Sequence, residues 1–402
     1  MVLKNATFLF LLQGVNYLAP LLLIPVYINV LGLDQYGQIA LWMAIIQFCY
    51  ILTDFGFLSF ATKEIADMSG DVKRISSFFS TVYCLKAFVF LFVSMLLIIY
   101  VLFNPAPSIV VISAVATIFC QCYQPVWFFH GIEKMKFVAL YFSISKLLFL
   151  LIVIVFIDEN SSWDNVIVFW FLSQLIGCII LNYQYRVLGY SFSPPLLKDI
   201  KELFFSSLHF FVSRLSVASY TSLNVIILSS LSPNANLGLF AICDQVFKAG
   251  QAATSPITQA LYPYMLRTKN WAFYIKLTLI SLVILSIGLL VVYFLYESFF
   301  DIVFDEEVDQ INTILPIFLL LIFVNFIARN IGNPLFGPLQ KLNIANNSVI
   351  FGALLHLVLV FWLYVNEQLS AISLSYCILF IECSILLIRA GFLITNKSLF
   401  KV

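Results

Sequence analysis

Residues 77–103 read SFFSTVYCLKAFVFLFVSMLLIIYVLF, a run of 27 residues that holds one charge, Lys86. A bilayer core about 30 Å thick is crossed by roughly 20 apolar residues in a helix, so this stretch alone is long enough to span. The rest of the chain repeats the pattern. Of its 402 residues, 62% are apolar and only 10% charged, 42 are Phe, and the mean hydropathy is +1.03. An average soluble domain carries about 25% charged residues. The composition therefore predicts an all-α integral membrane protein crossing the bilayer many times. It excludes a disordered chain, a secreted disulfide scaffold and a basic nucleic-acid binder.

Dividing the chain at charge clusters and Gly, Pro or Asn breaks gives twelve candidate spans, near 6–30, 37–62, 77–103, 108–131, 137–157, 164–186, 203–231, 235–267, 272–296, 312–340, 346–365 and 370–394. The first apolar run is too long for a signal-peptide h-region and lacks a small-residue cleavage site, so it reads as a span. With the N-terminus in the cytoplasm, fifteen of the 21 Lys and Arg residues fall on cytoplasmic segments and none on the opposite side, which carries acids instead. This is the positive-inside pattern. It predicts twelve spans with both termini cytoplasmic. The stretch near 187–202, with Pro194 and Pro195, sits at the midpoint and reads as a connection between two six-helix lobes, 1–190 and 203–402, with 191–202 as the linker. Tyr36-Gly37-Gln38-Ile39-Ala40 after the first span is similar to Leu237-Gly238-Leu239-Phe240-Ala241 after the seventh. Both halves start on the same side, so the repeats would be parallel, related by an axis along the membrane normal.

Nine charges remain inside spans: Lys86, Lys146, Arg214, Lys248, Arg329 and Arg389 against Asp54, Asp244 and Glu382. A charge at the bilayer centre costs about 2.5–3.5 kcal/mol on insertion scales, so these side chains should face the bundle interior, a wet cavity or one another. At about 1.5 Å per residue, Arg214 and Arg329 lie roughly 16 Å from the cytoplasmic ends of their spans. Lys248 lies near the middle of its own, and Lys86 and Lys146 are about 13 Å deep by the same rise. Arg389 is only about a turn and a half deep, and snorkelling to the interface is its expected fate. Asp244, Lys248, Gln251, Ser255 and Gln259 share one helix face, as do Asn325, Arg329, Asn333, Phe336 and Gln340. Gln13, Asn16 and Pro20 share a face of the first span, and Gln47, Tyr50 and Asp54 a face of the second; interhelical hydrogen bonding accounts for those stripes. The candidate substrate-binding set is Arg214, Lys248, Arg329, Lys86, Lys146, Asn325 and Gln251. The ion-coupling candidates are Asp244, Glu382 and Asp54. Asp244 and Lys248, four residues apart, are placed to neutralise each other, and Asp54 is equally suited to capping a backbone N–H. The three His residues are scattered and the eight Cys form no metal-spaced cluster, so no metal and no catalytic group is expected.

The amino-terminal quarter resembles the bacterial polysaccharide (O-antigen) flippases called Wzx. The residues that carry the resemblance are Gln13-Gly14-Val15-Asn16-Tyr17-Leu18-Ala19-Pro20, Pro25-Val26-Tyr27 and Val30-Leu31-Gly32-Leu33-Asp34-Gln35-Tyr36-Gly37, then Asp54-Phe55-Gly56-Phe57 and Ala61-Thr62-Lys63-Glu64-Ile65-Ala66. The resemblance implies membership of the multidrug/oligosaccharidyl-lipid/polysaccharide exporter superfamily, with two six-helix lobes around a central cavity and alternating access. The implied substrate is an undecaprenyl-diphosphate-linked oligosaccharide, such as an O-antigen repeat unit of lipopolysaccharide, moved from the cytoplasmic to the outer leaflet of the bacterial inner membrane. A cationic lumen would receive it. The implied protein is a transporter and not an enzyme. It needs no cofactor beyond H⁺ or Na⁺ as a candidate coupling ion. Its expected partners are the lipid-linked oligosaccharide and membrane lipid, with a glycan polymerase and a chain-length regulator as further candidates. The rival readings are a cation-coupled exporter of drugs or metabolites, which the net +3 of the spans disfavours, and a glycan polymerase or ligase, which should carry basic external loops. A flippase for the peptidoglycan precursor is a nearer alternative.

Overall fold

A computed structural model describes residues 19–68, 70–229, 234–303 and 311–396. Gln13 and Asn16, most of the first expected span, and Asp305, Glu306, Glu307 and Asp309 of the loop near 297–311, expected to be external, lie outside the described residues. Every regular element among the described residues is helical. In chain order these are α1 (Ala19–Leu31), α2 (Leu33–Asp54), α3 (Phe57–Asp67), α4 (Val72–Phe103), α5 (Ser108–Cys122), α6 (Val126–Gly131), α7 (Met135–Phe156) and α8 (Trp163–Val187). They continue as α9 (Leu197–Thr221), α10 (Leu223–Ser229), α11 (Asn234–Thr268), α12 (Trp271–Val303), α13 (Ile311–Ile331), α14 (Asn333–Phe336), α15 (Leu342–Val365) and α16 (Ala371–Thr395).

Nine segments among the described residues are long and apolar enough to cross a bilayer, taking α2 with α3, α5 with α6 and α13 with α14 as continuous paths. Three further expected spans are not among them. The first lies mostly outside the described residues, and α9 with α10 and α11 carry the polar and charged residues that lower their hydropathy. Large apolar side chains are left uncovered along the spans, Leu102, Phe103, Phe294 and Leu387 being about 70–80% exposed. In water such surface would drive aggregation; in lipid it is the solvated face.

Helix ends follow local chemistry. Asp71 caps α4 by accepting from the backbone N–H of Lys73 and Arg74, and Ser370 with Ser373 closes a capping box at α16. α4 stops at Asn104, ahead of Pro105. Pro125 separates α5 from α6, and Gly332 with Pro334 separates α13 from α14.

The chain falls into two compact units, one holding 38–218 and the described residues up to 23, the other 24–37 and the residues from 219 onward. The first unit has an aromatic core: Phe79 stacks on Tyr185 with ring centroids 3.8 Å apart and on Tyr83 at 4.2 Å, beside the buried Trp127, Phe128 and Phe129. The second packs α13 against α11 and α16, with Phe240, Phe318, Phe326 and Phe336 fully enclosed. It also takes in 24–37, where Gly238 abuts Leu33 so closely that a β-carbon would stand 2.8 Å from the Leu33 carbonyl oxygen.

The two units repair their broken helices, α5–α6 and α13–α14, in the same way. In the first, Val126 N–H turns to the Gln124 carbonyl at 2.9 Å, and the Cys122 carbonyl receives Lys86 Nζ at 2.9 Å instead. The Tyr123 carbonyl accepts from Tyr83 Oη (2.9 Å) and Asn182 Nδ2 (2.8 Å). In the second, Pro334 has no N–H to offer the Asn330 carbonyl, which accepts from Tyr274 Oη at 3.0 Å. Gly332 N–H goes to Arg329, and Arg389 Nη1 donates to the Ala328 carbonyl. A tyrosine from α4 or α12 and a polar side chain from α8 or α16 thus serve each break.

Candidate functional site: intramembrane polar networks

In the second unit a line of side chains crosses three helices. Gln251 on α11 donates its Nε2 to Asn325 Oδ1 on α13 at 3.0 Å, and Asn325 Nδ2 donates to Glu382 Oε1 on α16 at 3.0 Å. Asn325 and Glu382 are buried. Arg329, one turn beyond Asn325, donates to the Gln251 carbonyl at 3.3 Å and to Ser255 Oγ at 3.4 Å. Ser255 also accepts from Gln259 Nε2 at 2.7 Å. The two polar stripes of α11 and α13 therefore face each other. Gly250 makes this approach feasible: a β-carbon there would stand 2.7 Å from Ile322 Cδ1. Nearer the start of α11, Lys248 Nζ lies 2.6 Å from Asp244 Oδ2, with the lysine side chain 46% exposed. The i, i+4 spacing puts the acid before the base, the favourable order.

In the first unit Arg214 on α9 lies 3.5 Å from Asp54 Oδ2 at the end of α2, and its side chain is 31% exposed. Asp54 also accepts from Leu58 N–H at 3.5 Å, so it caps α3 as well as pairing with the arginine. The break between α2 and α3 is made by Phe55 (φ 49°) and Gly56 (φ 77°), both left-handed. Phe55 stacks on Phe211 of α9 at 4.5 Å. The Asp54-Phe55-Gly56-Phe57 motif is thus a helix break docked onto α9.

The predicted residues do not all converge. Gln251, Asn325, Arg329 and Glu382 form one network; Asp244 and Lys248 form a pair, as do Asp54 and Arg214. Lys86 is only 1% exposed, donates to the Cys122 carbonyl and sits 5.8 Å above the Phe57 ring. Lys146 on α7 is half-buried and has no hydrogen-bond or ion-pair partner among the described residues.

Arg389 corrects the expectation of snorkelling. It is buried, donates Nε to Ser348 Oγ (2.9 Å) and Nη2 to the Ala345 carbonyl (3.0 Å), and holds Ala328 through Nη1. Distance from the helix end suggests an escape to water, but the broken α13 offers it the Ala328 carbonyl and α15 the Ala345 carbonyl and Ser348 hydroxyl closer by. Asn182, Tyr83 and Tyr274 have comparable duties that no spacing rule announced; the signal available was the proline at each break, Pro125 and Pro334. His356 on α15 is buried and has Nε2 2.9 Å from Asn224 Oδ1.

Residues 2–269 match the family described as "Polysaccharide biosynthesis protein". A curated relative from Escherichia coli (strain K12), named "Putative O-antigen transporter", is 26% identical over 267 residues, which is 65% of this chain and 64% of that protein, just under two thirds of its length. One of the same name from Shigella dysenteriae is 25% identical over 371 residues, covering 89% of this chain and 92% of that one. Among solved structures, the lipid II flippase MurJ in an inward closed conformation is similar with a TM-score of 0.76 at 10% identity, over 98% of this chain and 87% of that one. An inward-facing multidrug resistance MATE family transporter of the MOP superfamily gives 0.69 at 13% identity, over 96% and 94%. At such identities the structures speak for the fold alone. With two thirds of its length inside the family match, this all-α membrane chain belongs to the polysaccharide biosynthesis protein family.

Proposed function

We propose that the protein is a flippase for a polyprenyl-diphosphate-linked oligosaccharide, an O-antigen repeat unit or a related glycan, carried by alternating access from the cytoplasmic to the outer leaflet of the bacterial inner membrane. Its termini would face the cytoplasm, as the loop charges predict. The family and the names of its two relatives support a lipid-linked sugar as cargo.

The observation that carries the reading is that Arg214 and Lys248 stay 31% and 46% exposed inside membrane-length helices even though each has a carboxylate beside it. A partly accessible guanidinium or ammonium in a low-dielectric setting attracts a diphosphate through charge-assisted hydrogen bonds. The adjoining carboxylate moderates that grip, which suits a carrier that must release its cargo. Gln251, Asn325 and Ser255, beside Arg329, supply neutral donors and acceptors of the kind a glycan uses. Asp244, Glu382 and Asp54 are the groups through which H⁺ or Na⁺ would couple, and polymerase and chain-length regulator remain the partners such a cargo implies.

The test is Arg214→Ala and Arg329→Ala in a strain whose surface polysaccharide depends on this protein. Loss of surface glycan at unchanged protein level is expected in both. Full surface glycan in both would overturn the reading.

A further inference from the structure

A pocket of about 750 Å³ opens in the first unit at the Arg186 end of α8. Its walls are Phe79 and Tyr83 of α4, Asn182, Tyr185 and Arg186 of α8, and Tyr190 of the segment that follows. The volume falls within the ~300–1,000 Å³ of small-molecule sites. Because α8 is a spanning helix that ends at Val187, the pocket stands where hydrocarbon gives way to headgroups, the depth at which tyrosines gather.

The walls are held in place by their own hydrogen bonds. Tyr83 Oη shares its one proton between the Tyr123 carbonyl (2.9 Å) and Asn182 Oδ1 (2.7 Å), and Asn182 Nδ2 is spent on the Tyr123 and Cys178 carbonyls. Tyr185 Oη bonds the Ser191 carbonyl at 3.0 Å. The segment after α8 is fastened to α4, with Ser191 N–H on Ser76 Oγ at 3.2 Å and Ser193 N–H on Ser80 Oγ at 2.9 Å. Tyr190 is further fixed against the Phe128 ring at 4.9 Å. One charged side chain stands in the lining. Arg186 is exposed and has no acid and no hydrogen-bond acceptor among the described residues.

From this geometry we infer that the pocket binds the phosphodiester headgroup of an anionic glycerophospholipid, with Arg186 on the phosphate and the aromatic walls around the glycerol. A phosphodiester carries one negative charge, which one guanidinium balances; a diphosphate would bring more charge than the pocket's single cation answers. Ile179 and Tyr183, 60% and 64% exposed on the flank of α8, give the acyl chains an apolar bed. The site is separate from the cations of the proposed transport function, and its test reads lipid retention and not glycan export, so either can fail without the other.

The full chain would be extracted in detergent, supplemented with phosphatidylglycerol, with diacylglycerol of matched chains or with undecaprenyl phosphate, and weighed intact by native mass spectrometry. Phosphatidylglycerol should be retained over diacylglycerol, and Arg186→Gln should lower its occupancy by about tenfold, the loss of one charge-assisted hydrogen bond. Lys198→Gln, at an exposed position outside the pocket, should leave it unchanged. The proposal is overturned if Arg186→Gln retains phosphatidylglycerol as the parent does, if diacylglycerol is held equally, or if undecaprenyl phosphate is preferred.

Discussion

Gly56 and Phe211 meet backbone to backbone: a β-carbon on Gly56 would stand 2.7 Å from the Phe211 nitrogen and 2.8 Å from the Phe210 carbonyl carbon. Neither atom belongs to a side chain that could swing aside. Gly56 also holds φ at 77°, a conformation that costs a residue with a β-carbon about 1–3 kcal/mol before any clash. Gly56→Ala should therefore lower the unfolding midpoint of the purified protein in detergent by several degrees. An unchanged midpoint would show that α9 does not press on the break between α2 and α3.

Arg389 should behave as a structural residue. Arg389→Ala leaves the Ala328 carbonyl without its donor, at about 1–3 kcal/mol for a buried group left unsatisfied, and also removes the charged donors to Ser348 Oγ and the Ala345 carbonyl, which still bond each other at 2.8 Å. Protein level and thermal midpoint should fall sharply, and Arg389→Lys should recover only part of the loss because one ammonium cannot reach all three acceptors. A variant that accumulates normally but fails to export glycan would place Arg389 in the transport path.

Lys86 separates the same alternatives in the first unit. Lys86→Met keeps the length of the side chain and removes the donor to the Cys122 carbonyl. Stability should drop by about 1–3 kcal/mol, while glycan export per folded molecule stays near that of the parent. Export that collapses at full stability would mean that Lys86 meets the cargo in another conformation.

Asn325 is the middle of the line from Gln251 to Glu382. Asn325→Leu removes a donor and an acceptor at once and leaves the Glu382 carboxyl without its 3.0 Å partner. Export should fall at least tenfold with protein level within about twofold, since each lost hydrogen bond is worth about 1 kcal/mol. Glu382→Gln, which can still accept from Asn325, should be milder than Glu382→Ala. Equal export by Asn325→Leu and the parent would reduce the line to packing.

Much of this was legible in the chain because a membrane leaves few options. Charge counts on loops and runs of 20 or more apolar residues announce spans, and the stripes of α11 and α13 announce facing helices, since helical period is the same in lipid and water. The pairing of Asp244 with Lys248 follows from spacing along one helix. The pairing of Asp54 with Arg214 does not, because those residues lie 160 positions apart and only the docking of the motif's break onto α9 brings them together. Arg389 shows the same limit from the other side. Its depth was readable, but the Ala328 carbonyl that helps hold it is freed only where Gly332 turns its N–H to Arg329, between α13 and α14. The lipid-facing pocket was hidden for a related reason, since its walls come from α4, α8 and the turn between them and α9.

α12 has the fewest buried residues of the candidate spans, 6% of those in its apolar window. Its 33 residues rise about 50 Å, against a hydrocarbon core of about 30 Å. A helix of that length with so few neighbours to brace it answers hydrophobic mismatch by tilting. A thicker or thinner bilayer would accordingly be felt first at α12, making the membrane's own dimension an input to this lobe.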